Sequence, residues 1–568
     1  MASMSVQEPG RLAWRAASEE DRAALEAARS RTMWQVLVDA AALDPDRKAL
    51  VAADDDGAVT HLTYAQLLER VRNLSAGLAS IGVARGDRIA LWMTNRLEWA
   101  VSFFAAGRIG AAVVPINTFL KAPEIAYCIQ QSGARHLIML DRFRKLDMPE
   151  MLAGICPEWG DARGPGELCS RALPDLRNVV LFAREGTSHR AAFDWAALEA
   201  VGAAAQDDWL AAADRMAAAV TPQDVFVVKY TSGSTGFPKG VMLQQGGFAA
   251  NGILHAARTG MGREDVYFSM MPMFHAGGSI YGLMSMLPQG GTLVFTEAFS
   301  VELAIRMIGE EGATIFVGVL GKEVVMEAHQ RGIAFPRLRM APLHNDVARQ
   351  VMPNVTFAFS PYGLTETYGP CAITGPADDP ARMLSTGGRP LPGNEIRVID
   401  PQTGNDLGPG EVGEAWVRGN TMIGYWNKPE ETARAIDAEG WVHSEDLVSI
   451  DEDGYVTYRG RLKLMAKVGG ENVSLEEVER CLAGHEGVTH CAAVGVSDPR
   501  KVEVVRVYVV RRPDIAISAD DLHLWLKPRL AHFKLPRDIV FVDDLPRLGS
   551  GKLDRIALAA WATAAVAI

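Results

Sequence analysis

The segment Tyr230-Thr-Ser-Gly-Ser-Thr-Gly-Phe-Pro-Lys-Gly240 follows directly on the apolar run Asp224-Val-Phe-Val-Val228. The apolar run predicts a buried strand. A strand that opens into a loop of Ser, Thr and Gly can direct backbone N–H groups and hydroxyls toward an anion, and Lys239 adds a positive charge. The segment therefore predicts a loop that binds polyphosphate. Taken alone, it also fits a flexible Gly/Ser loop without a ligand.

This loop does not have the spacing of a Walker phosphate loop. Gly240 follows Lys239, where the Walker pattern requires Ser or Thr. Lys552 fails as well, because Pro546 occupies the position of the first glycine and Leu553 follows the lysine. The sequence therefore argues against a P-loop NTPase or a kinase of that class.

Length and composition narrow the class of protein further. A chain of 568 residues is too long for one hydrophobic core, so we expect several domains. The net charge of −12 argues against nucleic acid as a partner. Six cysteines without a CxxC pair predict free thiols in a cytoplasmic protein. The apolar stretch 99–116 is interrupted by Arg108 and Gly110, so we expect a buried helix and strand rather than a transmembrane segment.

The hydrophobic pattern alternates between helical and strand periods. Such alternation predicts βαβ units around parallel sheets. We predict helices at 64–81, 98–109 and 124–132, and strands at 88–92, 111–115 and 136–140. A second alternating stretch covers about 223–375, short strands fill 385–460, and a compact α+β region follows. The segment 150–222 has weak periodicity and predicts surface helices with a variable loop.

Further motifs follow in a fixed order along the chain. Tyr362-Gly-Leu-Thr-Glu366 comes after the apolar run Val355–Phe359, which we predict to be a strand. Asp446 ends Gly440-Trp-Val-His-Ser-Glu-Asp446, and Arg461 follows Gly460. Pro546-Arg-Leu-Gly-Ser-Gly-Lys552 lies near the C-terminus. Together with the Ser/Thr/Gly loop, this ordered set resembles the acyl-adenylate-forming ligases, from about residue 33 to 556.

The resemblance implies an α/β fold with a particular division into domains. A large N-terminal domain at 33–462 would hold two βαβ-type subdomains and a small β-barrel subdomain, after an N-terminal extension at 1–32. A small, mobile α+β domain at 463–568 would follow, with its hinge at Lys463. Rotation about that hinge would let one site perform two half-reactions in turn.

The resemblance also implies the residues that bind ATP or an acyl-adenylate. Thr365 would contact the α-phosphate, Glu366 would bind Mg²⁺, and Tyr362 with Gly363 would border the adenine. Asp446 would accept hydrogen bonds from the ribose, Arg461 would support it, and Lys552 would bridge the carboxylate and the α-phosphate. Cationic groups and Mg²⁺ suit this chemistry, because the attack brings two anions together. The phosphates would be held by Thr231, Ser232, Gly233, Ser234, Thr235, Gly236 and Lys239.

The acyl and coenzyme A sites follow from the same resemblance. His275 would border the acyl pocket and gate the pantetheine tunnel, although a packed histidine in a turn is the alternative. Gly469 and Gly470 would line the coenzyme A channel. Small residues in the acyl pocket predict a bulky alicyclic or aromatic acid, and these residues are Gly277, Gly278, Gly318 and Gly321.

Three positions depart from the family pattern. The family's Gly-Gly before Ala-Pro-Leu is missing, because Leu338-Arg-Met340 runs straight into Ala341. Glu445 stands where the family has the glycine of Thr-Gly-Asp, which adds a carboxylate beside Asp446. Leu464 occupies a position that is commonly acidic. These changes bear on how well the chain binds ATP.

Three functions therefore remain open from the sequence. The first is an acyl-CoA ligase that adenylates a carboxylic acid with ATP and then transfers the acyl group to coenzyme A. The second is an enzyme impaired in adenylation that performs mainly the thioesterification of a preformed acyl-adenylate. The third is a nucleotide-binding pseudoenzyme, which is disfavoured because Lys552 and Glu366 are both present. The expected partners are a small carboxylic acid or its adenylate, with a homodimer as one option.

Overall fold

The computed structural model describes residues 15–184, 188–204, 208–231, 238–317, 321–341, 346–468, 471–498, 502–530, 532–547 and 552–564. These residues form two compact units. The larger unit comprises residues 16–395 and 417–442, and the smaller unit comprises residues 396–416 and the chain from 443 onward.

The chain is a mixture of helices and strands throughout. The strands are β1 (Lys48–Ala53), β2 (Val59–Thr63), β3 (Arg88–Trp92), β4 (Ala112–Pro115), β5 (His136–Leu140), β6 (Arg142–Phe143), β7 (Leu146–Asp147), β8 (Asn178–Phe182), β9 (Ala192–Asp194), β10 (Val225–Thr231), β11 (Lys239–Gln244), β12 (Val266–Ser269), β13 (Thr292–Thr296), β14 (Ile315–Val317), β15 (Pro361–Leu364), β16 (Gly369–Ile373), β17 (Arg389–Pro390), β18 (Glu395–Ile399), β19 (Gly413–Arg418), β20 (Val442–Ile450), β21 (Val456–Arg461), β22 (Met465–Val468), β23 (Glu471–Ser474), β24 (Val488–Asp498), β25 (Val502–Arg511) and β26 (Asp538–Phe541).

The α-helices are α1 (Glu19–Arg29), α2 (Met33–Leu43), α3 (Tyr64–Ser80), α4 (Leu97–Arg108), α5 (Ala122–Ser132), α6 (Met148–Ile155), α7 (Glu158–Asp161), α8 (Trp195–Ala203), α9 (Asp208–Ala219), α10 (Gln245–Thr259), α11 (Val301–Glu310), α12 (Gly321–Gln330), α13 (Asp346–Val351), α14 (Pro380–Ser385), α15 (Pro429–Ala435), α16 (Leu475–Ala483), α17 (Ala519–Leu526) and α18 (Arg555–Ala564). A π-helix covers Gly277–Met284, and short 3₁₀ helices cover Leu287–Gln289, Thr365–Thr367, Leu462–Leu464 and His532–Lys534.

A seven-stranded sheet lies in the core of the larger unit, in the order β11-β10-β4-β3-β5-β8-β9. Its strands pair in parallel except at the β10–β11 hairpin, which is antiparallel. Apart from Arg88 and His136 at their first positions, strands β3, β4 and β5 are continuous apolar runs, and they are almost wholly buried. Such runs are typical of parallel strands that are covered by helices on both faces.

A second sheet and a short antiparallel sheet complete the larger unit. The second sheet has the order β14-β12-β13-β1-β2 and is parallel except for the β1–β2 pair. The antiparallel sheet β15-β16-β17 carries the segment around Tyr362. Helix α3 shows why the helices form where they do: Thr63 caps its first turn through a hydrogen bond from Gln66 N, and its apolar residues face the core.

The smaller unit contains two sheets. The first is the four-stranded sheet β18-β19-β20-β21, which lies mostly in this unit. The second has the order β23-β22-β25-β24, with β26 paired to β25. Helices α16 and α17 pack their apolar residues, including Val478 and Leu522, on one face of this sheet, and α18 packs Leu558 on the other. The α+β prediction for this region is confirmed.

Most of the predicted elements of the large region are present within a few residues of their predicted ends. Two predictions need correction. The segment 150–222 contains the predicted helices but also β8 and β9, which extend the seven-stranded sheet. The run Val355–Phe359 is not a strand: only Phe357 forms an isolated bridge, to Met340, and the strand begins later, at Pro361.

Candidate functional site

The β10–β11 hairpin places the two ends of the predicted phosphate loop. Thr231 is paired with Lys239 in the antiparallel register, so the loop between them closes the hairpin. The predicted loop residues Ser232, Gly233, Ser234, Thr235 and Gly236 lie outside the described residues. The structure therefore fixes the base of the loop and its lysine.

Lys239 and Glu366 meet at one tyrosine. The ammonium nitrogen of Lys239 lies 4.9 Å from the centroid of the Tyr425 ring, and the Tyr425 hydroxyl donates a hydrogen bond of 2.9 Å to Oε1 of Glu366. Tyr425 itself is buried. We call these three residues the tyrosine-bridged cluster. The cluster links the lysine predicted to bind phosphate with the carboxylate predicted to bind Mg²⁺. Neither sequence motif alone indicated this link.

Backbone hydrogen bonds hold this cluster in place. The segment 422–426 runs beside β11: Met242 N donates to Gly424 O at 2.9 Å, and Trp426 N donates to Gly240 O at 2.7 Å. The same segment reaches the other side of the cluster, where Met422 N donates to Glu366 O at 2.7 Å. Because main-chain groups make these bonds, the positions of all three side chains depend little on exposed contacts.

The turn that carries Glu366 is tightly packed. Thr365 and Glu366 lie in the short 3₁₀ helix after β15, and both are partly exposed. The side-chain amide of Asn251 donates to the carbonyl oxygens of Thr367 and Pro370, at 3.2 and 2.8 Å. Asn251 on α10 thus holds the turn in place, while the two predicted site residues, Thr365 and Glu366, stay partly exposed.

Tyr362 and Gly363 have structural constraints of their own. The side chain of Tyr362 is buried, with 5% of the residue exposed. A Cβ atom at Gly363 would lie 1.9 Å from Gly369 O on the paired strand β16, so the close approach of these strands requires glycine. The structure therefore explains Gly363 by strand packing, and its predicted contact with the nucleotide stays a prediction.

His275 lies at the start of the π-helix Gly277–Met284. His275 is exposed, and its ring lies 4.6 Å from that of Phe274. Its carbonyl oxygen accepts hydrogen bonds from the backbone N–H of Ser279 at 3.0 Å and the Ser279 hydroxyl at 2.8 Å. π-Helical turns occur often at functional sites, and this one contains two of the predicted pocket glycines.

The predicted pocket glycines differ in what surrounds them. A Cβ atom at Gly278 would lie 2.4 Å from Pro272 O, so backbone packing requires this glycine. At Gly277 the nearest atom would be the flexible end of Met271, at 2.5 Å, and at Gly321 a Cβ would meet Phe316 at an ordinary 3.7 Å. Gly318 lies outside the described residues. Among the described pocket glycines, Gly321 alone has room for a Cβ atom as it stands, whereas Gly277 would have room only if the Met271 side chain moved.

Lys229 is a charged residue that the sequence patterns did not reveal. It lies within β10 between apolar neighbours and is 5% exposed. Its ammonium donates to the Ser279 hydroxyl at 3.3 Å, so strand β10 contacts the π-helix here. Burial away from water lowers the pKa of the Lys229 ammonium to about 7.

In the smaller unit, the predicted ribose carboxylate is paired with the predicted arginine. Asp446 and Arg461 face each other across β20 and β21, and Arg461 Nε donates to Oδ1 of Asp446 at 2.9 Å. Asp446 is buried, whereas Arg461 is exposed. The structure thus brings together two residues for which the resemblance implied a role in the same region.

Glu445 has an unusual backbone conformation. Its φ angle is +58°, in the left-handed region that a glycine adopts more easily. Its backbone N–H donates to Glu414 Oε1 at 3.0 Å, and Asp446 N donates to Ser444 Oγ at 3.0 Å. We call residues 444–446 with Arg461 the Asp446 turn. The backbone of the turn at position 445 thus has the conformation expected for a glycine, although the residue is a glutamate.

Lys552 lies on an anchored loop. The loop is closed by an isolated bridge between Arg547 and Leu553, and Asp554 N donates to Pro546 O at 2.8 Å. Arg555 then forms two hydrogen bonds to the carboxylate of Glu479 on α16, at 2.5 and 2.8 Å. Lys552 itself is exposed. The loop thus presents the lysine from a fixed attachment.

Several predicted residues are only partly placed. Gly469 and Gly470 lie outside the described residues, and so does the segment 342–345 that follows Ala341. Met340 forms parallel bridges to Ile315 and Phe357, so the shortened segment still joins the second sheet. The backbone of Lys463 lies in the 3₁₀ helix Leu462–Leu464. The effect of the missing glycines on an adenine site stays a prediction.

Comparison with known proteins assigns the family. The model for the AMP-binding enzyme matches residues 37–426, and the model for its C-terminal domain matches residues 477–552. The chain belongs to the AMP-binding enzyme family.

Relatives of this family member align over almost its whole length. It is 34% identical over 524 residues to the 3-[(3aS,4S,7aS)-7a-methyl-1,5-dioxo-octahydro-1H-inden-4-yl]propanoyl:CoA ligase of Mycobacterium tuberculosis, covering 90% of this chain and 95% of the relative. It is 33% identical over 502 residues to the feruloyl-CoA synthase of Amycolatopsis sp., covering 87% and 92%.

Solved structures share the fold. The ATP-bound MatB from Rhodopseudomonas palustris superimposes with a TM-score of 0.72 at 26% identity, covering 92% of this chain and 98% of MatB. The anthranilate CoA ligase AuaEII, in complex with anthranoyl-AMP, gives 0.77 at 24% identity, covering 95% and 98%. Within the described ranges, every helix is too short or too polar to cross a membrane.

Proposed function

We propose that the protein is an acid–thiol ligase that activates a carboxylic acid as an acyl-adenylate and then transfers the acyl group to coenzyme A. The tyrosine-bridged cluster supports this proposal most strongly. Lys239 and Glu366 come from motifs more than a hundred residues apart, yet both contact Tyr425. One supplies a cation for phosphate, and the other supplies oxygen ligands for a metal that accompanies ATP.

The chemistry has two balanced steps. The carboxylate of the acid attacks the α-phosphorus of ATP, and pyrophosphate leaves. The thiol of coenzyme A then attacks the acyl carbonyl, the proton of the thiol passes to solvent, and AMP leaves. Lys239 would hold the phosphates that leave first, and Thr365 would hold the α-phosphate. Lys552 would neutralise the charge that builds up when the two anions meet.

Glu366 is suited to a magnesium ion. Its carboxylate accepts a hydrogen bond from the neutral Tyr425 hydroxyl. In the described part of the chain, no lysine or arginine lies within ion-pair distance of it, so its charge is available to a cation. Carboxylate oxygens are preferred ligands of Mg²⁺, and the ion, when bound, neutralises charge on the phosphates.

The smaller unit would supply the remaining groups. Asp446 would accept hydrogen bonds from the ribose, and its pairing with Arg461 would keep its carboxylate oriented. We further propose that residues 463–568 rotate as a domain about Lys463, which would bring Gly469 and Gly470 to the coenzyme A channel after adenylation.

A bulky acid is the proposed substrate class. The names of two relatives, a ligase for a bicyclic propanoate and a feruloyl-CoA synthase, describe ring-bearing acids. The room beside Gly321, where a Cβ atom would meet Phe316 at an ordinary 3.7 Å, favours the same class. Faster turnover of acetate or propionate than of any ring-bearing acid would overturn this part of the proposal.

A second candidate is an enzyme that performs mainly the thioesterification half-reaction. Glu445 favours it, because its carboxylate lies one residue from Asp446 and would repel a nucleotide. Two unit charges about 5 Å apart repel by roughly 3 kcal/mol at an effective dielectric of about 20. ATP carries more negative charge than an acyl-adenylate and would be penalised more.

Two parallel assays separate the candidates. In the first, the enzyme receives a panel of acids with ATP, Mg²⁺ and coenzyme A. In the second, it receives synthetic acyl-adenylates with coenzyme A and no ATP. The proposed ligase forms acyl-CoA in both assays, whereas acyl-CoA in the second assay alone would favour the thioesterification enzyme. No acyl-CoA in either assay would overturn both.

A further inference from the structure

Lys229 is a buried cation with little compensation. It is 5% exposed in the middle of β10, and its strand neighbours Val227 and Val228 are fully buried. In the part of the chain that the structure describes, the Ser279 hydroxyl is its hydrogen-bond partner, and no carboxylate lies within ion-pair distance. A buried ammonium with so few partners costs folding free energy, which an apolar side chain of the same length would not.

The hydrogen bonds around Ser279 fix the roles of the two groups. The single hydroxyl proton of Ser279 goes to the carbonyl oxygen of His275, at 2.8 Å. The Ser279 oxygen must therefore accept from Lys229, which is the donor of the 3.3 Å bond. The ammonium has three N–H donors and the neutral amine has two, so this bond leaves at least one donor for another acceptor.

The position of Lys229 places those donors beside the predicted acyl pocket. Along a strand, alternate residues share a face, so Lys229 lies on the same face of β10 as Thr231, where the predicted phosphate loop begins. Val228 lies on the opposite face, where it packs close to Gly240. The hydrogen bond from Lys229 to Ser279 places Lys229 against the π-helix that follows His275 and begins at Gly277.

The same helix also contacts the turn of the tyrosine-bridged cluster. A Cβ atom at Gly369, three residues after Glu366, would meet Ala276 at 3.5 Å and Tyr281 at 3.6 Å. The π-helix therefore contacts Lys229 through Ser279 and, through Tyr281, strand β16, which follows the 3₁₀ turn of Thr365 and Glu366. Lys229 thus contacts this helix at Ser279, two residues from the predicted pocket residue Gly277.

We propose that Lys229 is a specificity-determining residue that donates a hydrogen bond to a second oxygen on the substrate, a ring ketone or a ring carboxylate remote from the carboxylate that is activated. This inference rests on the proposed ligase function and narrows its substrate class. An acid with such an oxygen would complete the coordination of the ammonium. A purely hydrocarbon ring would leave it unsatisfied, and sites built to bond a polar group reject analogues that lack it.

The test crosses two acids with two enzymes. Cyclohexylpropanoate and its ring-ketone derivative are compared as substrates of the wild type and of Lys229→Met, with ATP, Mg²⁺ and coenzyme A. We expect the wild type to prefer the ketone, and Lys229→Met to raise the KM for the ketone about 10- to 100-fold with little change for the plain ring. The kcat values should stay similar, because Lys229 is not proposed to contact the reacting atoms.

Two further measurements keep the outcome interpretable. Lys229→Gln retains a donor of shorter reach and should recover part of the preference, and thermal unfolding of each variant reports whether it is folded. Equal loss on both acids in a folded variant would overturn the inference and leave the ligase standing. If the wild type makes acyl-CoA from other acids of the panel but from neither of these two, the inference falls and the ligase stands. No acyl-CoA from any acid or adenylate of the panel would overturn both.

Discussion

The tyrosine-bridged cluster and the Asp446 turn differ in the backbone conformation of the residues at their predicted nucleotide contacts. In the cluster, Lys239, Tyr425 and Glu366 lie in ordinary backbone conformations and are held by main-chain hydrogen bonds. In the turn, Asp446 keeps its pairing with Arg461, but Glu445 beside it adopts a φ of +58°. The residues predicted to bind phosphate and metal thus lie in unstrained backbone, whereas the carboxylate predicted to bind ribose lies beside a strained residue that adds a charge.

The comparison shows that the backbone conformation of the turn is compatible with a glutamate at position 445, where the family has a glycine that adopts this conformation without strain. A glycine at position 445 would adopt the left-handed region without cost, whereas other residues lose about 1 kcal/mol or more there. The turn persists because Glu414 accepts from the Glu445 N–H and Ser444 accepts from Asp446 N. The following experiments test how far each region supports adenylation.

The largest effect is expected from removing the charge of Glu366. In Glu366→Gln the side chain can still accept from Tyr425, but it loses the charge proposed to bind the metal. We expect acid-dependent ATP–pyrophosphate exchange to fall about 10²- to 10³-fold, with a higher Mg²⁺ concentration needed for half-maximal rate. Glu264→Gln, on a side chain that is 89% exposed, is the matched control and should change neither. An unchanged Mg²⁺ dependence would remove Glu366 from the proposed metal site.

The next effect concerns the pairing in the Asp446 turn. Asp446→Asn should raise the KM for ATP about 10- to 100-fold, because a charged hydrogen-bond acceptor is lost. Asp406→Asn breaks a comparable pair in the same unit, with Arg397, and should lower stability without raising this KM. Equal effects of the two variants on the KM for ATP would mean that Asp446 acts through folding alone.

Much of this architecture could be predicted from the sequence because continuous apolar runs such as Arg88–Trp92 have few alternatives to burial as strands. Strand β8 was missed because its apolar run lies in a segment rich in Ala, Gly and Asp, which masks the alternation. The predicted strand Val355–Phe359 is wrong because apolar content alone does not supply a ladder partner, and there only Phe357 forms a bridge.

The candidate site was predictable where chemistry follows a motif and unpredictable where it depends on tertiary contact. The family resemblance implied that Arg461 supports the region of Asp446, and the strand register places the two residues opposite each other. Nothing in Gly424-Tyr-Trp-Asn427 indicates that Tyr425 would join Lys239 to Glu366. Lys229 was hidden because a single lysine inside an apolar strand is indistinguishable, in the sequence, from an edge residue that faces water.

A pH dependence is expected from Lys229, in the strand that leads to the tyrosine-bridged cluster. Its pKa falls from 10.5 to about 7 in the folded chain. Between those values the unfolded chain binds a proton that the folded chain lacks, so stability rises with pH there, by up to about 1.4 kcal/mol per pH unit. Below about pH 7 both states are protonated and the full penalty remains.

Lys229→Met serves as the reference for this pH dependence. The free energy of unfolding of both proteins is measured with denaturant from about pH 6 to about pH 10. This range begins below the pKa of about 7 that Lys229 has in the folded chain and extends well above it. The deficit of the wild type relative to Lys229→Met should shrink as the pH rises. A constant difference between the two proteins would show that the Lys229 ammonium is well solvated or paired.

A smaller effect is expected at the hydroxyl of Tyr425. Tyr425→Phe keeps the ring near Lys239 and removes only the donor to Glu366, so we expect a three- to tenfold loss of exchange activity, about the value of one hydrogen bond to a charged group. Tyr64→Phe is the control, because its buried hydroxyl donates to Gly291 O instead. Loss of the same size in both variants would indicate general destabilisation.

The smallest effect concerns the backbone of Glu445. Glu445→Gly removes both the strain and the charge, and should raise the free energy of unfolding by about 1 kcal/mol. Glu445→Gln removes the charge and keeps the strain, so it should leave stability unchanged and lower the KM for ATP. If the two variants bind ATP no better than the wild type, the Glu445 carboxylate faces water and does not oppose the nucleotide.

Acid-dependent exchange of pyrophosphate into ATP tests the central claim most directly, because it requires the first half-reaction and nothing of the second. With ATP, Mg²⁺, labelled pyrophosphate and a panel of ring-bearing acids, a complete ligase exchanges label in the absence of coenzyme A. We predict exchange that depends on the acid and is lost in Glu366→Gln. Efficient formation of acyl-CoA from synthetic adenylates without any exchange would contradict the claim, and would identify an enzyme that has kept the phosphate chemistry of its family but no longer adenylates its acid.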